Sequence, residues 1–215
     1  MITITNTDVY GFEAAIRGMR NPLESWNRSD SCFCPVSPDC EGNCKMHIGK
    51  NDRELMMKLA FAGSTHAKYR RMITVTCDIT APLYWWKEFD TYKIGTVANS
   101  CSTMHKIHAR DLTLEDFSFD HLSDDNCWML KDVIHRLNIA RLRYVETGDK
   151  DEWWQMIQLL PSSFNQKRTV MLNYEVLVGI YRDRKNHKLD EWRDFCKWIE
   201  SLPLSEIITG KGDEQ

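Results

Sequence analysis

The 215-residue chain reads as one α+β domain, a small antiparallel or mixed sheet with helices packed over it. Three observations predict this class. Met72 to Ile79 alternates strictly, with Ile73, Val75, Cys77 and Ile79 on one side and Thr74, Thr76 and Asp78 on the other, the period of a half-buried strand. Several longer stretches place apolar residues three and four apart, the period of a helix. An apolar content of 42% over this length is enough for one good core.

The elements follow in order. Ile2 and Ile4 alternate with Thr3 and Thr5, a short strand. Phe12, Ala15, Ile16 and Met19 define a helix that stops before Pro22. Residues 20–50, rich in Asn, Ser, Asp, Pro and Gly, form a long loop of the kind that is functional or disordered. Asn51 and Glu54 have capping-box spacing and open a helix burying Leu55, Met56 and Leu59, closed at Gly63. The alternating strand follows and ends at Pro82, because proline cannot donate to a ladder. Leu83 to Lys93 is an aromatic amphipathic helix in which Trp85 and Trp86 are packing residues. A polar loop runs from Gly95 through Thr103, and residues 111–125 are acidic and irregular. Asp124 or Asp125 caps a helix carrying Leu130, Val133, Ile134, Leu137 and Tyr144, stopped at Gly148. A tryptophan-rich segment runs from Glu152 to Leu160, and Pro161 ends it. The spacing of Val170, Asn173, Leu177 and Ile180 predicts a helix over Thr169 to Arg182, and Trp192, Cys196 and Ile199 predict another over Leu189 to Ile199. The domain is expected to span 1–205, with a cysteine-rich loop at 28–50 and a tail at 206–215.

A net charge of −3 argues against a nucleic-acid binder. No apolar run approaches the ~18 residues that span a bilayer, and the N-terminus lacks the basic and apolar regions of a signal peptide. The default compartment is the cytoplasm. Neither common glycine-rich phosphate loop is present, and neither is a Gly-x-Ser-x-Gly elbow. This disfavours Rossmann dehydrogenases, kinases and serine hydrolases.

Cysteines divide into two groups. Cys77 and Cys196 sit on apolar faces as small core residues. Cys32, Cys34, Cys40 and Cys44 crowd together with His47 behind them. Their spacing supplies more ligands than tetrahedral zinc requires, and a structural zinc ion is the expected occupant, with free thiols or a disulfide as alternatives. His105, His108 and His121 lack regular ligand spacing. Cys101 sits in a small-polar loop near His105 and His108, as a nucleophile or as a pocket liner.

The block from His66 to Met104 resembles the flavin-dependent thymidylate synthases, the ThyX family. There a histidine opens a strand ending in Ala-Pro. A glutamine then lies three residues before an Arg-His-Arg triplet, and a serine follows after seven more. Here His66 opens the block and Ala81-Pro82 ends the strand; Glu88 takes the glutamine position, Thr91-Tyr92-Lys93 the triplet and Cys101 the serine position. Further on, Leu160-Pro161, Asn173-Tyr174-Glu175 and the run from His187 to Arg193 match the order of later family motifs. The resemblance implies a ThyX-like fold and reductive methylation of dUMP to dTMP, with FAD as cofactor and NADPH and methylenetetrahydrofolate as co-substrates. It also implies a homotetramer with active sites between subunits. By position it assigns His66, Glu88, Tyr92, Lys93 and Asn99 to the flavin and nucleotide, with Arg182 or Arg184 reaching phosphate. Cys101 and Ser102 would lie beside the pyrimidine as the catalytic candidates. His66 also reads as a loop cap, and Tyr92 as core.

The departures fall where chemistry would sit. Thr91 and Tyr92 remove a fixed charge and a fork of donors, and Lys93 keeps a point charge only. Cys101 and Thr103 stand for the serine and an arginine, which removes bidentate phosphate recognition there. Glu88 adds a negative charge, and Leu189 replaces a polar residue. Arg70, Arg71, Lys106, Arg182 and Arg184 are the candidate compensating cations. The alternatives are a diverged homologue that binds a nucleotide or flavin without synthase activity, and a zinc-ordered interaction protein.

Overall fold

A computed structural model describes residues 2–33 and 46–210. Its centre is a four-stranded antiparallel sheet in the order β1-β2-β4-β3, built from β1 (Thr3–Tyr10), β2 (Thr74–Pro82), β3 (Thr96–Ser100) and β4 (Asn165–Asn173). In β2 the predicted alternation holds: Val75, Cys77, Ile79 and Ala81 are buried, while Thr74, Thr76, Asp78 and Thr80 face outward. β1 runs further than Ile2 to Thr5 and reaches Tyr10, with a bulge between Thr5 and Asp8 where Asn6 takes φ 52°. On the outer face Asp78 accepts hydrogen bonds from Thr169 Oγ1 at 2.6 Å and Asn6 Nδ2 at 2.9 Å, and pairs with Lys167 at 2.9 Å. These contacts tie three strands together and hold its carboxyl down at about 2.

Two segments differ from expectation. Thr169 to Asn173 is strand, and the helix expected from Thr169 begins only at Tyr174. Val170 and Leu172 are both buried, the period of a strand, because β2 and β3 pair with this segment from both sides. Asn173 serves as N-cap of the following helix, accepting from Val176 N at 3.1 Å. The expected polar loop at 96–100 is the edge strand β3, whose residues are mostly exposed. Its polarity reflects that exposure, as is usual for edges.

The helices are α1 (Phe12–Arg20), α2 (Lys50–Ala60), α3 (Leu83–Phe89), α4 (Thr103–Lys106), α5 (Asp124–Thr147), α6 (Lys150–Leu159), α7 (Tyr174–Arg184), α8 (Asp190–Glu200) and α9 (Glu206–Thr209). α3 stops at Phe89, so Thr91-Tyr92-Lys93 lies beyond the helix. The cap of α2 comes from a distance: Asp30 accepts from Asn51 N and Asp52 N at 2.9 and 3.1 Å, in place of an Asn51–Glu54 box. Gly49 permits this, since a Cβ there would lie 2.2 Å from the Asp30 carboxyl carbon. Ser123 occupies the N-cap position of α5, and Asp124 and Asp125 lie in its first turn, where they favour the helix dipole. Residues 206–209, expected as tail, form α9 with Ile207 and Ile208 buried. Among the described residues no helix is long and apolar enough to cross a membrane.

The main core joins one face of the sheet to α1, α2, α3, α7 and α8. At its middle Trp85 meets Trp192 at 4.7 Å and stacks on Phe89 at 5.1 Å. A second apolar cluster joins α5 and α6 to Ile107, Leu112 and Phe117. Cys77 and Cys196 are buried in the main core, as expected.

One buried ion pair holds the long loop to this body. Arg20 Nε meets Asp52 Oδ1 at 2.6 Å, the two side chains 3% and 0% exposed. The other Asp52 oxygen accepts from the hydroxyls of Ser29 and Ser31, both at 2.7 Å. Burial alone would raise the Asp52 pKa, but these hydrogen bonds and the Arg20 charge outweigh it and lower it. Just beyond, Cys32 and His47 pair across an isolated bridge, with N–O distances of 2.9 and 3.1 Å. Cys34, Cys40 and Cys44, the other expected zinc ligands, lie outside the described residues, and among the described residues no group of three metal-ligating side chains is assembled. Asp52→Ala leaves Arg20 as a buried unpaired charge, so it should cost about 3–5 kcal/mol in urea unfolding. In the parent this contribution is complete above the ordinary carboxylate range and fades as pH falls through the lowered pKa.

Candidate functional site

The predicted site residues divide between two cavities and open surface. The first cavity, about 350 Å³, lies where β3 hands over to α4. Cys101 continues the strand pairing by one step, donating its N–H to Lys167 O at 2.9 Å. Gln166 Nε2 donates to Cys101 O at 3.0 Å and to Thr103 Oγ1 at 3.1 Å. The thiol is thus presented at the cavity wall by a backbone held on both sides. Ser102 lines the same space, but its Oγ accepts from His105 N at 3.2 Å and caps α4. Lys106, Arg110 and Lys167 supply positive charge. Arg110 is committed to Asp116 and Lys167 to Asp78, whereas Lys106 has no ion-pair partner among the described residues.

A second cavity, about 630 Å³, is lined by Leu83, Tyr84, Lys87, Glu88, Thr91 and Arg184. Here the structure brings together Glu88, Tyr92 and Arg184 from the predicted set. Arg184 Nη1 donates to Glu88 Oε2 at 2.6 Å and Nε donates to the Tyr92 hydroxyl at 2.9 Å. The guanidinium lies over the Trp192 ring at 4.6 Å, a cation–π contact. Trp192 Nε1 donates to Glu88 at 3.0 Å, and His187 Nε2 is 3.6 Å from the same carboxylate. Glu88 and Arg184 therefore satisfy each other before any ligand arrives.

The remaining predicted residues stand apart. His66, Lys93 and Asn99 are exposed, with Asn99 opposite Thr169 in the sheet. Arg182 is exposed and bonded to Asp183 at 2.8 Å. Among the compensating cations, Arg70 is buried against Glu175 at 2.8 Å and donates to Ile207 O, which makes it a structural tie. The residues that sequence reading missed are Gln166 and Lys167 at the first cavity, and Trp192 and His187 at the second. The signal for the first pair was the polar run before Thr169, which reads as strand only once its partners are known.

The first cavity thus gathers a thiol, two amides, three cations and the carboxylates of Glu115 and Asp116. No family model and no curated protein matches the sequence. Solved structures do match the fold. Thymidylate synthase X of Helicobacter pylori, solved with FAD and dUMP, superposes with a TM-score of 0.71 at 15% identity, over 97% of this chain and 97% of that one. A UMP/dUMP methylase, PolB, from Streptomyces cacaoi, solved with 5-Br dUMP, gives 0.59 at 14% identity, over 99% and 96%. The chain therefore shares the fold of these proteins, the ThyX fold.

Burial pushes the Cys77 thiol up to about 12 and the Cys196 thiol up to about 11, while Cys101 is exposed. Iodoacetamide on the native protein should therefore alkylate Cys101 well before Cys77 or Cys196, as read by peptide mass mapping. Equal labelling of all three would contradict this packing.

Proposed function

We propose that this protein binds a uridine nucleotide and a flavin and carries out reductive methylation of dUMP to dTMP, with NADPH and methylenetetrahydrofolate as co-substrates. The observation that carries the reading is the likeness to a synthase solved with FAD and dUMP over nearly the whole length of both chains. The donor set fits in kind: Lys93, Asn99 and His66, all exposed, offer an ammonium, an amide and an imidazole to a flavin dinucleotide, and Tyr92 offers a ring. A bound flavin supplies the hydride chemistry. The chain's own residues bind and orient. Cys101 and Ser102 line the pyrimidine side, Gln166 holds the Cys101 backbone in place, and Lys106 attracts phosphate. Arg184 lies at the other cavity, so with sites built between subunits it would reach the nucleotide phosphate from a neighbouring copy once Glu88 lets it go. In this reading the protein is a cytoplasmic homotetramer with sites between subunits. The apolar residues Trp128, Met129, Leu142 and Val145 exposed along α5 support burial of that helix against another copy.

A specific observation favours a second reading. The Glu88–Arg184 pair engages the guanidinium internally, so a diverged homologue that binds ligand without synthase activity is the alternative.

Two measurements separate them. Purified protein incubated with excess FAD and desalted should retain a flavin spectrum, and NADPH oxidation should depend on dUMP; flavin retention without dUMP-dependent oxidation selects the second reading. Glu88→Gln removes the carboxylate that competes for Arg184, so dUMP affinity should rise about tenfold by calorimetry. Unchanged affinity would mean that Arg184 does not serve the nucleotide.

A further inference from the structure

The short helix α4 walls two hollows. Thr103 and Lys106 line the Cys101 cavity, whereas Met104 and His105 line another of about 410 Å³, completed by His108, Tyr144, Lys150 and Trp153. This second hollow belongs to none of the chemistry above, and its walls are built rather than incidental. Trp153 Nε1 donates to Met104 O at 3.0 Å, which fixes the indole against α4. Tyr144 meets His108 edge to face at 5.0 Å.

Its charge is one-sided. Among the described residues lining it, none is acidic, and His105 and Lys150 have no ion-pair partner there. The nearest helix end is already served, because the Asp149 carboxylate accepts from Asp151 N at 2.9 Å. The positive charge at the hollow is therefore that of the Lys150 side chain. A buried polar atom is also left over: His108 Nδ1 is shielded from solvent and has no hydrogen-bond partner. Buried unpaired polar atoms are uncommon and call for an explanation. A metal does not supply one, since no group of three metal-ligating side chains is assembled among the described residues.

We infer that this cavity is a binding site for an aromatic ring bearing an acidic group, phosphate or carboxylate. The volume lies within the range of small-molecule sites. Trp153 and Tyr144 supply ring surface, Lys150 supplies the charge that an anion needs, and His105 adds a ring N–H donor. The His108 ring lines the same hollow, and a turn of that ring would bring Nδ1, shielded as the ring stands, to the ligand. A nucleoside monophosphate and an aryl carboxylate share this chemistry. Although α4 borders both hollows, different side chains line each, so binding here does not depend on what the Cys101 cavity holds.

The test is calorimetric titration of the full chain with adenosine 5′-monophosphate and with nicotinate. Adenosine and inorganic phosphate serve as the ring and the charge alone. One of the acid-bearing rings should bind at least about tenfold more tightly than adenosine or phosphate, and the double variant His105→Gln, Lys150→Gln should lose about tenfold of that. Preference for the monophosphate or for nicotinate then names the acidic group. Lys106→Gln, which alters only the Cys101 cavity, should leave this binding intact, and circular dichroism checks that each variant is folded. The inference fails if the acid-bearing rings bind no better than their halves. It fails equally if the double variant binds like the parent, or if Lys106→Gln abolishes the binding instead.

Discussion

The pairing of β2 with β4 is the constraint on which the rest of this structure depends. It runs without a bulge from Thr74 opposite Asn173 to Pro82 opposite Asn165. Beyond Pro82 the two segments stay joined, because Leu83 N donates to Phe164 O at 3.0 Å and Tyr84 N to Ser162 O at 3.1 Å. The start of α3, and with it Glu88, is therefore set by the same register that places Gln166 and Lys167 against Cys101. Arg168 shows the same dependence, bonded to Asp90 at 2.7 Å and lying over Trp86 at 4.2 Å. A slip of one residue would turn Val170 and Leu172 to solvent and send Gln166 and Arg168 to the opposite faces.

Two acidic residues illustrate how burial separates structural from functional charge. Asp52 is sealed, and both of its oxygens are bonded to groups that never leave it. A pair of this kind holds elements together and is of no use to a ligand. Glu88 keeps about a third of its side-chain surface, and its partner Arg184 about a fifth, at 34% and 18%. That pair is open enough to be exchanged for another anion. It is also anchored to the core, since the Trp192 indole that donates to Glu88 packs against Trp85. The site and the aromatic core are thus one packed unit, and a change in either reaches the other.

Much of the architecture was legible because local signals agreed with the tertiary outcome. The alternation through Cys77, the stop at Gly148 and the apolar spacing of Trp192, Cys196 and Ile199 each reflect one face buried and one exposed. β4 was not legible, because Val170, Asn173, Leu177 and Ile180 run across a strand, a cap and a helix at spacings that also fit a single helix. β3 was missed for the opposite reason: an edge strand with exposed residues leaves little apolar pattern. The cap on α2 was misplaced because Asp30, remote in sequence, reaches the helix end before the local pair does.

The sequence by itself determined the class of fold, the burial of Trp85, Trp86 and the core thiols, and the set of polar residues from which a site is drawn. Those features follow from which side chains water rejects and from the period at which they recur. The tertiary structure alone decided how that set is divided. Cys101 and Ser102 face one cavity, Glu88 and Arg184 close on each other beside a second, and His66, Lys93 and Asn99 stay exposed. No local rule fixes such pairings, because a carboxylate takes whichever guanidinium the packing of distant helices delivers within hydrogen-bond reach.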